Sequence, residues 1–419
     1  MTPTILGIRS GALGDVLLGI PSWQAIRRAN PSALIVVAAP SGPAQFIASS
    51  VPGPIKIIRP DTQSIADLYH PAPSPDLHAL RLAHPAPSPD LHALRLAHPA
   101  PSPDLHALRY VGADSRSQNY GSYRSAEGQG FDWASVTHAV VWTQSGFDIA
   151  DRLRARGVGC VVVAPPFPPA GDRTHVSEWL ASTIEPVGGV FTDGWDASPW
   201  IMQPGLDTPP HPNAPDGNTL RLAHPNAPDG NTLRFDDHWY GTEDFSGCRF
   251  VVVHPGSGSA RKCWPTPSWH ALIRDLEGQG YKVMVLEGEA DGPAVEAITS
   301  AMSPGMVRVI RGRSLAEVAR LIANACGVIA NDSGIAHLAA GLGVPTVAIF
   351  GPTDPAVWRP RGPNVRVCGG TAGATWPHHP APSPDLHALR HTGAVVTEGV
   401  IWPEVDEVIS AIAAAFMPA

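Results

Sequence analysis

The 419-residue chain is 43% hydrophobic and 16% charged, with a formal net charge of −8. That composition supports folded cores in two or three domains of ordinary size, and an acidic balance without a basic tail argues against nucleic acid as a partner. The five cysteines are scattered and form no CxxC pair, which fits a reducing compartment better than a disulfide framework. No apolar run nears the roughly 18 residues of a membrane span. The N-terminus lacks the basic-then-apolar order of a secretory signal, so a cytoplasmic protein is expected.

In chain order, "TILGI", "ALIVVAA", "IKII", "HAVVW" and "GCVVVA" read as buried strands. "DVLLGIPSWQAIRRA", "FDIADRLRAR" and "HVSEWLASTI" read as helices. Apolar runs alternating with helical spacing predict a parallel sheet covered on both faces. A stretch from about 186 to 246, rich in Pro, Gly, Asp and Trp, has no periodicity and marks a boundary. The rhythm then restarts with "RFVVVHP", "SWHALIRDLEGQG", "YKVMVLEG", "GPAVEAITSAM", "MVRVIRG", "SLAEVARLIANA", "CGVIA", "SGIAHLAAGLG" and "PTVAIFG". The expected organisation is an N-terminal Rossmann-like domain over 1–200, a linker over 201–246 and a C-terminal Rossmann-like domain over 247–419. Two doubly wound domains facing each other place a ligand crevice at the carboxyl ends of both sheets.

Three segments interrupt this pattern. "HPAPSPDLHALR" occurs at 70–81, 84–95 and 98–109, and again at 379–390. "HPNAPDGNTLR" occurs at 211–221 and 224–234. The units are too short and proline-rich for a supersecondary repeat, and one copy stands far from the others. They read as inserted solvated loops at 70–109, 211–234 and 379–390.

Four stretches carry chemistry. "GALGDVL" (11–17) joins a strand to a helix, where bare backbone N–H groups attract anions, yet it carries its own anion, Asp15. Gly11 and Gly14 form the turn, and Asp15 reads as a helix N-cap. "HPGSGSARKCWP" (254–265) also follows a strand; Gly256 and Gly258 allow close backbone approach, Ser257 and Ser259 supply hydroxyls, and Lys262 supplies a point charge, a set suited to a diphosphate. Lysine appears only at 56, 262 and 282. In "NDSGIAHLAAGLGVPTVAIFGPTDP" (331–355), Asp332 or Ser333 can cap a helix starting near Gly334, whose N-terminus carries partial positive charge, with His337 one turn in. "LEGEAD" (286–291) ends a strand with Glu287, Glu289 and Asp291, any of which can meet ribose hydroxyls.

Together, "GALGDVLLGIP", "HPGSGSARKCWP" and "NDSGIAHLAAGLGVPTVAIFGPTDP" resemble glycosyltransferase family 9, the ADP-heptose:lipopolysaccharide heptosyltransferases. The resemblance implies the α/β GT-B fold, with the acceptor on the N-terminal domain and the nucleotide-diphospho-sugar on the C-terminal one. It also implies inverting transfer with no metal and no cofactor. Asp15 falls on the family's catalytic base and Lys262 on the lysine at the donor phosphates. Asp332, Ser333, Gly334 and His337 fall in the donor motif, and Glu289 is favoured as the ribose acid. The implied partners are the nucleotide sugar and a glycan or lipid-linked acceptor of lipopolysaccharide-core type. A peripheral contact with the inner membrane surface is compatible with this, although no amphipathic basic helix marks one. Alternatives from the same motifs are a hexose donor or a nucleotide-sugar binder without catalysis.

Overall fold

The computed structural model describes residues 3–69, 131–143, 147–190, 198–203, 249–303, 305–374, 395–397 and 400–416. The repeats at 70–109, 211–234 and 379–390, and most of the 201–246 linker, lie outside the described residues. The chain divides into two compact units, Met1–Leu68 with Asp132–Ala419, and Tyr69–Phe131. The first unit holds both sheets.

The N-terminal sheet contains β1 (Thr4–Arg9), β2 (Leu34–Ala38), β3 (Ile55–Ile58), β4 (Val136–Trp142) and β5 (Cys160–Ala164), in the order β3-β2-β1-β4-β5. All of its pairings are parallel. The C-terminal sheet contains β6 (Phe250–His254), β7 (Lys282–Glu287), β8 (Val307–Arg311), β9 (Gly327–Asn331), β10 (Thr346–Phe350) and β11 (Val365–Gly369), in the order β11-β10-β9-β6-β7-β8. It too is parallel throughout. Both sheets run outward from their first strand, then jump to the other side of it. The strand order therefore reverses between β1 and β4 and between β6 and β9, where the carboxyl ends splay apart and ligands bind in doubly wound folds.

The central strands are apolar up to their carboxyl ends because helices cover both faces; β6, β9 and β10 are buried at every residue. Trp23 stacks edge-on against Trp142 with centroids 4.9 Å apart beside the first sheet, and Trp264 does the same to Trp269 at 5.2 Å beside the second. Around the first sheet lie α1 (Leu13–Leu17), α2 (Ile20–Ala29), α3 (Ser41–Ser50), α4 (Gln63–Tyr69), α5 (Phe147–Ala155) and α6 (Val176–Ser182). Around the second lie α7 (Thr266–Gly278), α8 (Gly292–Thr299), α9 (Leu315–Ala323), α10 (Gly334–Gly341), α11 (Pro355–Trp358) and α12 (Val405–Phe416). A short antiparallel pair, β12 (Val395–Thr397) and β13 (Val400–Trp402), precedes α12.

The helix expected over 15–29 is two helices. Pro21 has no N–H to give and its ring crowds the carbonyl four residues back, at Leu17, where α1 ends. Ser314 caps α9 as expected: its hydroxyl accepts from Glu317 N, while Glu317 Oε2 accepts from Ser314 N at 2.8 Å. β11, β13 and α12 extend the second half beyond the elements its sequence pattern marks.

Candidate functional site

Three of the four chemistry-bearing stretches lie at a strand reversal, and the fourth, 286–291, follows β7. Asp15 sits on α1, after β1. The glycine loop 255–262 follows β6, and Asp332 to His337 follow β9.

At the first reversal, α1 begins at Leu13 with Ala12 in the capping position, so Asp15 is the third residue of the helix rather than its N-cap. Its Oδ2 reaches back to accept from Ala12 N at 2.9 Å, which satisfies one of the amides a helix start leaves open. Gly11 adopts φ 134°, and a Cβ there would fall 2.6 Å from both Asp15 Cβ and Oδ2. Only glycine fits that turn. Beneath it Arg9 is 1% exposed. Its Nε donates to the Asp15 carbonyl at 3.0 Å, its Nη1 donates to Pro166 O at 3.0 Å, and its Nη2 lies 3.9 Å from Asp15 Oδ1. Burial pushes the Arg9 guanidinium down to about 10, against the pull of Asp15, so it remains a cation at neutral pH.

At the second reversal the groups are buried and joined. Lys262 Nζ donates to Asp332 Oδ2 at 2.8 Å, and Thr353 Oγ1 donates to the same oxygen at 2.8 Å. Ser257 Oγ donates to the Asp332 carbonyl at 2.7 Å. Asp332 therefore holds the glycine loop and the Thr353 turn together and does not cap α10. Ser333 occupies the capping position of α10 but makes no side-chain cap bond. Its hydroxyl lies 3.1 Å from His254 Nδ1, and His254 Nε2 lies 2.9 Å from Asp291 Oδ2. Gly288 N donates to that same Asp291 oxygen at 2.9 Å. A Cβ at Gly256 would fall 1.8 Å from Asp291 Oδ1, whereas Gly258 faces open space. The Gly256 turn therefore packs directly on the Asp291 carboxylate, where a side chain would not fit. Ser259 precedes a short turn of 3₁₀ helix, Ala260–Lys262, and its side chain makes no cap bond.

Of the acids in 286–291, Asp291 is buried inside this network and Glu289 is exposed on the turn. Glu287 pairs with Arg311 at 3.2 Å. The sequence pattern does not single out Arg9, His254 or Thr353. His254 and Thr353 act through partners distant in sequence, and Arg9 reaches both Asp15, six residues on, and the distant Pro166 carbonyl.

The two reversals meet. A Cβ on Gly334 would fall 2.7 Å from Leu13 Cβ and 2.9 Å from Gly14 N, and one on Gly14 would fall 3.1 Å from His337 Cδ2. The first turns of α1 and α10 therefore abut, glycine against glycine, with Asp15 beside the seam. His337 is buried and its Nδ1 has no hydrogen-bond partner. Burial above all pushes His337 down to about 4, with Asp332 and Asp15 pulling it up and Lys262 pushing it down. It is a neutral imidazole at pH 7.

Further contacts fix the two halves in register. Arg173 grips Asp354 through Nε and Nη2 at 2.7 and 3.1 Å. His175 Nε2 donates to Arg359 O at 2.8 Å, and Trp200 Nε1 donates to Arg361 O at 2.8 Å. Arg361 also pairs with Glu178. Among the described residues no cluster of three or more His, Cys, Asp or Glu is arranged to hold a metal ion, and no helix is long and apolar enough to cross a membrane.

Residues 230–380 match the profile of glycosyltransferase family 9 (heptosyltransferase). The chain is 35% identical over 109 residues to lipopolysaccharide heptosyltransferase 1 of Salmonella typhimurium, covering 26% of this chain and 33% of that one. It is 32% identical over 122 residues to lipopolysaccharide heptosyltransferase 3 of Escherichia coli, covering 28% of this chain and 36% of that one. It thus spans about a third of the length of these curated relatives. Among solved structures it resembles the glycosyl transferase family 9 protein from Veillonella parvula, with a TM-score of 0.58 and 16% identity over 99% of this chain and 97% of that one. At that identity the likeness concerns the fold, which is the paired Rossmann-like α/β architecture expected from the sequence.

Proposed function

We propose, from the match of residues 230–380 to the glycosyltransferase family 9 profile, that the chain is a member of that family and moves a heptose-type sugar from a nucleoside diphosphate, ADP-heptose in the simplest case, to a hydroxyl of a lipopolysaccharide-core or related acceptor. The observation that carries this reading is the meeting of the two strand reversals. The partly exposed Asp15 carboxylate stands beside the seam on α1, and on the other half stand Lys262, a glycine loop and a helix start without a side-chain cap.

In this reading the donor diphosphate lies against the second sheet. Lys262 and the first amides of α10 receive its charge, Gly256 lets the backbone approach, and Ser257, Ser259, Asp332 and Ser333 line the same loops. Charge developing on the leaving diphosphate meets donors already in place, and one such preorganised donor is worth about 3 kcal/mol. The acceptor lies on the Asp15 side. Its hydroxyl oxygen attacks the anomeric carbon from the face opposite the diphosphate, the bond from that carbon to the diphosphate oxygen breaks, and the hydroxyl proton passes to Asp15. One displacement inverts the anomeric centre. Fixed cations and amides carry the leaving-group charge, so the reading includes no metal.

The test is to incubate the protein with ADP-heptose and a heptose-deficient core acceptor, with and without a chelator. Release of ADP with formation of the extended glycan, undiminished by chelation, is the expected result. Donor binding without transfer to any core acceptor would leave only a nucleotide-sugar binder.

A further inference from the structure

We propose that His254, anchored by Asp291, is a positioning residue that orients the Ser333 hydroxyl toward the donor diphosphate and takes up a proton when a nucleoside diphosphate binds. This rests on the donor placement proposed above.

The starting point is a serine that does not do its local job. A serine in the capping position ordinarily accepts from an amide of its own helix. Ser333 instead directs its hydroxyl at His254 Nδ1, 3.1 Å away. His254 ends β6 and is 5% exposed, and its other ring nitrogen meets Asp291 Oδ2 at 2.9 Å. These three residues come from the ends of β6 and β9 and from the turn after β7, and none is a neighbour of another in sequence. They form a chain of hydrogen bonds running from a buried carboxylate to the first turn of α10.

The direction of that chain follows from Asp291. Burial pushes its carboxyl up, but the bonds from His254 and Gly288 outweigh this and leave it below the usual carboxylate range. An ionised Asp291 only accepts, so His254 Nε2 carries a proton and donates it. One variable remains, the proton on Nδ1. With a neutral imidazole, Nδ1 accepts the Ser333 hydroxyl proton, and Ser333 turns lone pairs toward the α10 amides. With an imidazolium, Nδ1 donates to Ser333 Oγ, and the hydroxyl is released to donate outward. A bound diphosphate repels the first arrangement and stabilises the second. Binding therefore consumes one proton from solvent, which ends on His254 Nδ1. This proton is separate from the acceptor's, which Asp15 receives.

The neighbouring charges allow this. Lys262 is matched by Asp332 at 2.8 Å. Burial, then the charge of Asp291, raises the Cys263 thiol, so it stays protonated. His337 has no hydrogen-bonded carboxylate and is held neutral by burial. Asp15 lies across the seam on α1. Of the two histidines at the site, His254 is the one with a carboxylate in direct contact on the far side of its ring.

Calorimetric titration with ADP at about pH 7.5, in buffers of different ionisation enthalpy, counts the protons exchanged. The wild type is expected to take up close to one proton more per ADP than His254→Gln, and His254→Gln to bind ADP roughly tenfold more weakly. Ser333→Ala leaves His254 and Asp291 in place but cuts the chain. It is expected to keep the wild-type melting temperature and lose the extra proton. Equal proton counts in wild type and His254→Gln, with ADP still bound, would overturn the proposal while leaving the donor site standing. So would wild-type proton uptake in Ser333→Ala, which decides the matter if His254→Gln does not fold. Failure of the wild type to bind ADP at all would overturn the donor placement and this inference with it.

Discussion

The two sheets wind in the same strand order, yet the turns at their reversal points are built in opposite ways. After β1 the acid is Asp15, whose side chain is 36% exposed above a fully buried arginine. After β6 and β9 the acid is Asp332, whose side chain is 6% exposed and already bonded to Lys262 and Thr353. The same backbone frame thus supports one group left open to a changing partner and one network locked before any partner arrives. A proton acceptor needs access to the group it serves, whereas groups that hold a diphosphate work best when their geometry is fixed in advance. The contrast is what the proposed division of labour between an acceptor half and a donor half requires.

The largest expected effect attacks the locked side. Lys262→Ala removes the lysine from a buried carboxylate and from the proposed diphosphate site. ADP affinity should fall by about 10- to 150-fold, the equivalent of a lost charge-assisted contact of about 1.5–3 kcal/mol. Calorimetry with ADP decides it, and unchanged affinity would remove the lysine from the donor site.

The seam between the halves is tested by a matched pair of glycines, each the first residue of its helix. Gly334→Ala drives a Cβ against Leu13 and the Gly14 amide, whereas Gly292→Ala on α8 meets nothing within 4 Å. Gly334→Ala should destabilise by about 1–3 kcal/mol, and Gly292→Ala should be neutral or slightly stabilising. If the two variants melt together, the glycine-to-glycine approach of α1 and α10 does not matter to stability.

Each half also holds a buried neutral histidine. Burial first, and then the charge of Arg361, push His175 down to about 3; His337 lies at about 4. Both folded values are below the ordinary 6.5, so below that pH the unfolded chain binds protons that the folded chain refuses. Stability should fall as the pH drops from about 6.5, at up to about 1.4 kcal/mol per pH unit for each imidazole, until His337 titrates near 4 and His175 near 3. Urea midpoints measured between pH 7 and 5 test this. His175→Gln should flatten the slope, and midpoints that do not move with pH would contradict it.

The smallest effect is expected at the clamp between the halves. Arg173 is 54% exposed, while Asp354 is 1% exposed and retains bonds from Ala356 N and Gly373 N. Arg173→Ala should therefore lower the melting temperature only slightly. A drop as large as that of Gly334→Ala would make this pair a main tie between the halves.

Much of the frame was legible because buried parallel strands are continuous apolar runs, and every such run named from the sequence is a strand. The split of α1 from α2 was written in "LLGIP" but was overridden by the helical spacing on either side. The site was legible where chemistry is local. The glycine loop, Lys262 and the α10 start are strings of adjacent residues at strand ends. It was not legible where partners are far apart. Asp291 meets His254 across 37 residues, and Thr353 meets Asp332 across 21, and such pairings depend on strand order that no short window reveals. Asp15 shows the finer limit. Its neighbourhood was readable, but its place as third residue rather than cap depends on Gly11 turning the chain at positive φ.

The central claim is that Asp15 accepts the proton of the attacking hydroxyl while the other half holds the donor. It is tested most directly by Asp15→Asn, with transfer from ADP-heptose to a core acceptor and ADP affinity measured on the same preparation. Asparagine keeps an oxygen that can accept from Ala12 N, as Asp15 Oδ2 does now, so the turn should survive. The account predicts a folded protein with wild-type ADP affinity and turnover at least about 100-fold slower. Wild-type turnover by Asp15→Asn would contradict it.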